Sequence, residues 1–197
     1  MAYSDFNLST LKKQFHLVID ETLDLSTVPE IAVSDFLQAT LNENIPLALA
    51  SQNEKARSEF IISPVLVELR KLAGRKIGLF SGVDFSVDPA KGLNGLCDFI
   101  ITRSPELLSI TAPVLMLVEA KNEDIKSGIA QCIAEMIAAQ TFNVREGNER
   151  TGVNGVVTTG SIWKFLKLDH AAVMIDPREY YISQVGKILA VLLHFIE

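Results

Sequence analysis

The feature that most constrains this chain is an apolar run that ends in charge. Val114–Val118 is wholly apolar, and Glu119, Ala120 and Lys121 follow it directly. A run of this kind is typical of a central strand that is buried on both faces. Because a carboxylate at the end of such a strand must find a partner or a cation, we expect the strand to end in a charged site.

The pattern on either side predicts an α/β protein. Helices are predicted at 53–73 (ending at Gly74), 125–142 and 185–195, with a further helix capped by Ser34. Strands are predicted at 76–80, 95–102, 113–120, 155–159, 162–168, 171–175 and 180–182. The turn-like stretch 104–112 is short, so the second and third strands should be an antiparallel pair. The order of elements predicts an α/β sandwich around a mixed sheet.

Prolines interrupt two of the predicted helices. Pro64 lies inside the 53–73 pattern, so either the helix kinks there or Ser63 caps a second helix with Pro64 at its first position. Pro29 and Pro46 are expected to break the first fifty residues into short amphipathic stretches.

The two strands before the 125–142 helix carry the side chains with the clearest chemistry. Asp98 lies in the first strand, and Glu119 and Lys121 close the second. Side chains alternate along a strand, so Glu119 and Lys121 share a face while Ala120 points to the other. Two neighbouring carboxylates repel each other, and a divalent cation removes the repulsion. Hard oxygen ligands of this kind suit Mg²⁺ or Mn²⁺ rather than Zn²⁺.

An Asp on one strand followed by Glu-x-Lys on the next resembles the PD-(D/E)XK nuclease superfamily. Here 20 residues separate Asp98 from Glu119-Ala120-Lys121. The resemblance implies a restriction-endonuclease-like three-layer sandwich, in which helices flank a central mixed sheet. It also implies hydrolysis of phosphodiester bonds in nucleic acid, DNA being the first expectation, with Mg²⁺ or Mn²⁺ as cofactor. Asp98, Glu119 and the Ala120 carbonyl would hold the cation, and Lys121 would assist the attacking water.

The leading helix is similar to the nuclease domains of type I restriction subunits, and the architecture resembles that of a family of uncharacterised proteins. The likeness rests on the stretch Asn53-Glu54…Ile62-Ser63-Pro64-Val65-Leu66. On this register Glu54 takes the catalytic glutamate position of the leading helix, and Glu59 is the competing choice. The resemblance covers the chain from about residue 53 onward.

The helix after the hairpin offers candidate substrate contacts. In many members of the superfamily this helix carries a glutamine, and here it offers Gln131. Glu135 lies four residues later and so shares its face. An acid is unwelcome beside a phosphate unless it also approaches the cation, which makes Glu135 a secondary candidate. Lys126 could contact a nucleic-acid backbone. A solvent-facing role explains Lys126 and Gln131 equally simply.

Four further residues have a structural interpretation that is simpler than a functional one. Trp163 and Phe165 alternate with lysines on a strand. They could stack on bases, but core packing is favoured. Cys97 and Cys132 are interpreted as two reduced, partly buried thiols.

The charge of the chain is unevenly distributed. The net charge is −6, and residues 1–50 hold seven acids against two lysines. We therefore expect an acidic helical extension at 1–50 and a nearly neutral core domain at 51–197. A neutral core permits nucleic-acid binding without arguing for it, so the alternative is a catalytically silent nuclease fold that binds nucleic acid or protein.

Cellular location and assembly are indicated only in outline. The sequence has neither a signal-like start nor an apolar run of membrane-spanning length, so a cytoplasmic protein without membrane contact is expected. The apolar helix at 185–195 could join a second copy in a homodimer. Covering the core of its own chain is the simpler role for that helix.

Overall fold

The structure is a computed structural model that describes residues 1–148 and 150–197. The fold is built on one eight-stranded sheet. Its strands are β1 (Val18–Asp20), β2 (Gly78–Asp84), β3 (Leu96–Thr102), β4 (Val114–Ala120), β5 (Val153–Thr158), β6 (Ile162–Asp169), β7 (Ala172–Ile175) and β8 (Tyr180–Tyr181). The helices are α1 (Leu8–Phe15), α2 (Asp35–Ser51), α3 (Glu54–Arg57), α4 (Ser63–Leu72), α5 (Ile125–Arg145) and α6 (Val185–Ile196). In the described ranges, no helix combines the length and apolarity that crossing a bilayer requires.

The sheet is mixed, as the order of elements predicts. Its strands lie in the order β1-β7-β6-β5-β4-β3-β2, and β8 pairs with β6. The pairs β4–β5 and β1–β7 are parallel, and the others are antiparallel. Parallel neighbours need a crossover connection, and α5 makes the one between β4 and β5. The same helix therefore packs on both of these central strands.

The hairpin of β3 and β4 is confirmed as an antiparallel pair. Phe99 lies opposite Val118 in its register. Every residue of β4 is buried, as expected for a central strand covered on both faces. Continued by one residue, the register brings Asp98 opposite Glu119. Opposite residues of an antiparallel pair point to the same face, so the hairpin places these two carboxyl groups together.

Each face of the sheet is covered by its own apolar core. On one face, α2, α4 and α6 pack over a core that contains Val118 and Ala120. Trp163 and Phe165 are fully buried in the same core, so their core-packing interpretation is confirmed. On the other face, α1 and α5 pack over a core that contains Leu117. The α6 helix lies against the core of its own chain.

The segment before β2 is one helix in two parts, α3 and α4, which a π-helical turn at Ser58–Ile62 joins. Ser63 has helical angles of φ −57° and ψ −47°, and its N–H donates to the Ser58 carbonyl. Pro64 has no N–H, so it leaves the Phe60 carbonyl without a helical partner. Asn44 donates its side-chain amide to that carbonyl at 3.1 Å. The helix therefore continues through Pro64, and Ser63 does not cap a second helix.

The first eighty residues differ from the sequence-based expectation in three places. The α2 helix passes through Pro46. Because proline has no N–H, the Asn42 carbonyl loses its helical partner. Asn42 and Pro46 lie on the exposed face of the helix, so water can bond that carbonyl instead. Residues 18–20 form β1, an unpredicted edge strand that pairs with β7. The strand expected at 76–80 instead spans Gly78–Asp84, because it pairs with β3 along that length.

A side chain of α5 holds the start of β4. Asn143 is fully buried. Its Oδ1 accepts the Val114 N–H at 2.7 Å, and its Nδ2 donates to the Val114 carbonyl at 2.9 Å. These two bonds fix the start of the strand that carries Glu119 near its end.

We predict that Asn143→Ala lowers the free energy of unfolding by about 2–4 kcal/mol, because it leaves two buried backbone groups of Val114 without partners. Denaturant titration measures this loss. The matched variant Asn42→Ala removes an exposed asparagine and should change stability by less than about 0.5 kcal/mol. An equally small effect of Asn143→Ala would contradict this account of β4.

Candidate functional site

Asp98 lies at the open end of the β3–β4 hairpin, away from the loop that connects the two strands. It directly precedes Phe99, the first β3 residue in register with β4. Its Oδ2 accepts the backbone N–H of Ala120 at 2.7 Å. The bond spans the two strands, so the carboxylate is fixed beside the last residues of β4.

Glu119 and Lys121 lie on the same face of β4, and they are in contact. The Lys121 Nζ is 2.5 Å from Glu119 Oε1, and the two side chains are 18% and 1% exposed. Desolvating such a pair is costly unless other hydrogen bonds satisfy its remaining atoms. The hydrogen bonds that neighbouring side chains make to Glu119 and Lys121 therefore decide whether this ion pair is stable.

Two residues of α5 extend this contact into a chain of hydrogen bonds. Lys121 Nζ donates to Gln131 Oε1 at 3.2 Å, and Gln131 Nε2 donates to Glu135 Oε1 at 3.2 Å. Gln131 thus lies between the site lysine and a second buried acid. It contacts the group expected to do the chemistry, which a purely solvent-facing residue would not.

Glu135 is fully buried and lies close enough to Glu119 for their charges to interact. Burial raises the pKa of Glu135 well above its ordinary range, and the charge of Glu119 adds to the rise. One oxygen of each residue, Oε2 in both cases, is buried and has no hydrogen-bond partner.

Burial is the main cause of the unusual titration of these acids. It raises the pKa of Glu119 to about 7, the charge of Asp98 adds to the rise, and Lys121 opposes it. Burial also raises the pKa of Asp98, and the Ala120 hydrogen bond opposes that shift. For Lys121, burial alone would lower the pKa, but the charge of Glu119 outweighs it and the net shift is upward. The lysine is therefore a fixed positive charge at neutral pH.

The leading helix brings Glu54 to the same place. Its carboxyl group is close enough to Lys121 and Asp98 to interact with their charges. Burial, reinforced by the charge of Asp98, raises the pKa of Glu54. Glu59, the competing glutamate, pairs instead with Lys55 at 2.6 Å and is 53% exposed. The structure therefore places Glu54, and not Glu59, beside the hairpin.

Arg57 is a member of this neighbourhood that the sequence-based prediction missed. Its Nε donates to Asn122 Oδ1 at 3.2 Å, and its Nη1 donates to the Thr159 carbonyl at 3.0 Å. It thus connects the leading helix to the ends of β4 and β5. The available signal was its spacing, because Arg57 follows Glu54 by one helical turn.

Two predicted residues stand apart from the other members of the set. Lys126 is exposed on the first turn of α5, and its side chain forms none of the hydrogen bonds of the cluster. The side chain of Ala120 packs into the core on the opposite face of the sheet. What Ala120 contributes here is its N–H, which donates to Asp98.

Small residues let α5 approach the sheet closely enough to reach Lys121. A Cβ at Gly128 would lie 2.6 Å from Val157 Cγ1 and 3.0 Å from Lys121 Cγ. A Cβ on Gly155 of β5 would lie 2.4 Å from Met136 Sδ. Any larger residue at these positions would push α5, with its Gln131 and Glu135, away from the strands.

The two cysteines do not supply a nucleophile. Cys97 and Cys132 are both buried and unpaired, as the sequence indicates. Burial, reinforced by nearby acids, raises the pKa of each thiol. A neutral thiol is a poor nucleophile, so the chemistry of this cluster falls to its carboxylates and its lysine.

The donor set suits a hard divalent cation. Within 1–148 and 150–197, no group of three or more His, Cys, Asp or Glu side chains is placed to hold a metal ion. Mg²⁺ does not need one, because it keeps several waters and is commonly held by one or two carboxylates together with substrate phosphate. Asp98 and Glu119 lie side by side, and Glu119 keeps a buried oxygen without a hydrogen-bond partner. These residues fit Mg²⁺ or Mn²⁺.

The sequence matches no protein-family model, and no curated protein matches it. The comparisons therefore assign no family, and the functional argument rests on the geometry of the cluster.

We predict that the metal-free protein becomes less stable as the pH rises. Since burial raises the pKa of Glu119 from 4.5 to about 7, the folded state binds more protons than the unfolded state between these values. The stabilisation that this raised pKa provides is fully present below pH 4.5 and is lost as the pH rises through about 7. The loss should be on the order of 3 kcal/mol, measured by denaturant titration in EDTA.

The variant Glu119→Gln should flatten this pH profile, because it removes the titrating group without changing its shape. Glu146→Gln removes the same charge from an exposed position next to the end of α5 and should leave the profile unchanged. A wild-type stability that stays constant across this range would contradict the assignment of Glu119 as a buried acid with a raised pKa.

Proposed function

We propose that this protein is a metal-dependent nuclease that hydrolyses phosphodiester bonds in nucleic acid, with DNA as the first candidate substrate. One observation carries the proposal. Asp98 and Glu119 lie side by side at the end of the central hairpin, with the Lys121 ammonium on Glu119. The resemblance to the PD-(D/E)XK superfamily requires this juxtaposition, and a set of unrelated surface charges would not produce it.

The arrangement of layers supports the finer fold proposed with this function, a restriction-endonuclease-like three-layer sandwich. Helices lie on both faces of the sheet, and α5 crosses from β4 to the parallel strand β5. The leading helix comes before the hairpin and contributes Glu54 to the cluster. This order of elements is the one that the resemblance implies.

Metal binding is assigned to Asp98 and Glu119. When bound, Mg²⁺ or Mn²⁺ would supply a Lewis acid that activates water and polarises the phosphoryl oxygen. The Ala120 N–H orients the Asp98 carboxylate, and the strand fixes Glu119 opposite it. The Ala120 carbonyl is the third proposed ligand, as the resemblance implies.

Lys121 is proposed to stabilise the negative charge that builds up on the phosphate. Because its pKa is raised by Glu119, it stays protonated and acts as a positive charge rather than as a base. Gln131 accepts a hydrogen bond from Nζ, which limits the rotamers of the long side chain. Preorganised charge of this kind is an effective means of lowering a barrier.

Glu54 is proposed to orient the attacking water or to accept its proton. Its carboxyl group is half-buried beside Lys121 and Asp98, and its raised pKa moves it towards the range useful for a base. Arg57 would hold the Asn122 loop against the helix through its two hydrogen bonds. Lys126, which is exposed nearby in sequence, is proposed to contact the backbone of the nucleic acid.

The second candidate function is a catalytically silent module that binds nucleic acid or protein. The acidity of the cluster favours it, because three carboxyl groups (Glu54, Asp98 and Glu119) lie around Lys121 and a fourth, Glu135, lies near Glu119. Without a cation, such a group would repel a phosphate. The two functions are therefore separated by whether a divalent cation enters the site.

The test is a cleavage assay on single- and double-stranded DNA and RNA with Mg²⁺ or Mn²⁺. We predict that the wild type cleaves at least one substrate and that EDTA abolishes this cleavage. Asp98→Asn should reduce activity below detection by weakening metal binding. Lys121→Ala should lower the cleavage rate by about 10²–10³-fold, because it removes a charge that stabilises the transition state.

The matched control for Lys121→Ala is Lys55→Ala, which removes an exposed lysine paired with Glu59 and should retain wild-type activity. Equal cleavage by the wild type, Asp98→Asn and Lys121→Ala would identify a contaminant and refute the enzyme. No cleavage of any substrate, together with metal-independent binding, would favour the silent module.

A further inference from the structure

Glu135 is a buried acid that the Asp and Glu-x-Lys pattern does not require. It is fully buried on α5, between the apolar and equally buried Ala134 and Met136. Glutamate is among the residues least often fully buried without a partner. Its place in the core therefore calls for a role that an apolar side chain could not fill.

The hydrogen bond between Glu135 and Gln131 belongs to a chain whose direction is set by chemistry. An ammonium group can only donate hydrogen bonds, so Lys121 needs the oxygen of the Gln131 amide rather than its nitrogen. Lys121 Nζ donates to Gln131 Oε1 at 3.2 Å. The amide nitrogen then faces away from the lysine and needs an acceptor, which Glu135 Oε1 supplies at 3.2 Å.

The Glu135 acceptor decides which way the Gln131 amide faces. The last torsion of a glutamine side chain is broad and roughly two-fold, so the amide can present either its oxygen or its nitrogen to Lys121. The second orientation sets two donors against each other. The first is selected because both ends of the amide form hydrogen bonds in it, one to Lys121 and one to Glu135.

The orientation of Gln131 matters because Lys121 has to share its other partner. Lys121 Nζ contacts Glu119 Oε1 at 2.5 Å, and Glu119 is one of the two carboxylates assigned above to the cation. A cation there would draw on the same negative charge. Gln131 Oε1 lies on α5, outside that pair of carboxylates, so it can hold the ammonium whether or not the cation is present.

We infer that Glu135 is a positioning residue that orients the Gln131 amide and thereby holds the Lys121 ammonium in place. The inference rests on the proposed function, because it concerns the lysine that stabilises charge on the phosphate. It gives Glu135 no contact with substrate or cation. The role requires an acceptor oxygen at the end of a side chain of this length, which glutamine also offers, whereas methionine ends in a methyl group.

The variants Glu135→Met and Glu135→Gln test the assignment in the cleavage assay. We expect Glu135→Met to lower kcat roughly 10-fold with little change in KM, because a misplaced lysine weakens stabilisation of the transition state alone. Glu135→Gln should recover most of this loss. The matched control Glu68→Met removes another buried acid, from α4, and should cleave like the wild type. Equal losses in the two Glu135 variants, or no loss in either, would overturn the inference.

A double-mutant cycle tests whether Glu135 acts through Gln131. Gln131→Leu breaks the same chain of hydrogen bonds from its middle member. We expect the double variant, Gln131→Leu with Glu135→Met, to cleave no more slowly than Gln131→Leu alone, since residues that act as one unit are not additive. Losses that multiply would show that Glu135 acts by another route and would overturn the inference.

Nuclear magnetic resonance tests the same inference without catalysis. A lysine ammonium gives a ¹⁵N–¹H signal when hydrogen bonds slow its exchange with water. We expect this signal for Lys121 in the wild type and in Glu135→Gln, and its loss in Glu135→Met. Thermal melting establishes that each variant is folded, and Glu135→Ala takes the place of Glu135→Met if methionine disturbs the fold.

The two kinds of measurement separate the inference from the proposed function. A wild type that cleaves nothing but gives the expected spectra would refute the nuclease and support the role of Glu135. A Lys121 signal that is absent from the wild type, or unchanged in a folded Glu135→Met or Glu135→Ala variant, would overturn that role whatever the activity.

Discussion

The structure depends on a carboxylate that is buried at the end of a central strand. Glu119 is 1% exposed and is the last residue but one of a strand in which every residue is buried. A charge in this position is costly unless opposite charge and hydrogen bonds surround it. Lys121 supplies the opposite charge, Gln131 of α5 holds the lysine in place, and Asp98 adds a like charge that keeps the pKa of Glu119 raised. The charged cluster therefore forms because a buried central strand ends in charged residues.

The rest of the fold brings these partners together. The parallel pair of β4 and β5 requires a crossover, and α5 provides it on the face that carries Glu119 and Lys121. Gly128 and Gly155 allow the helix to approach closely. Pro64 is accommodated by a π-helical turn, which keeps the leading helix continuous up to Glu54. The crossover helix, the two glycines and the π-helical turn each bring a charged side chain closer to the end of the hairpin.

The hairpin and its three charged residues were predictable because they depend on local patterns. An apolar run identifies the strand, and alternation fixes the face of Glu119 and Lys121. The edge strand β1 and the continuous helix through Pro46 were not predictable, since they depend on distant pairing and on which face meets water. The full burial of Glu135 was not predictable either, because its spacing from Gln131 shows a shared helix face but not how deeply that face is buried.

The central claim is that Asp98 and Glu119 hold a divalent cation. Anomalous diffraction from crystals grown with Mn²⁺ tests it most directly, because the signal locates the cation without relying on turnover. The account predicts one strong peak at roughly 2.1 Å from oxygens of both carboxylates, with Lys121 still beside Glu119. A map with no peak at this position, or with manganese bound only elsewhere on the protein, would contradict it.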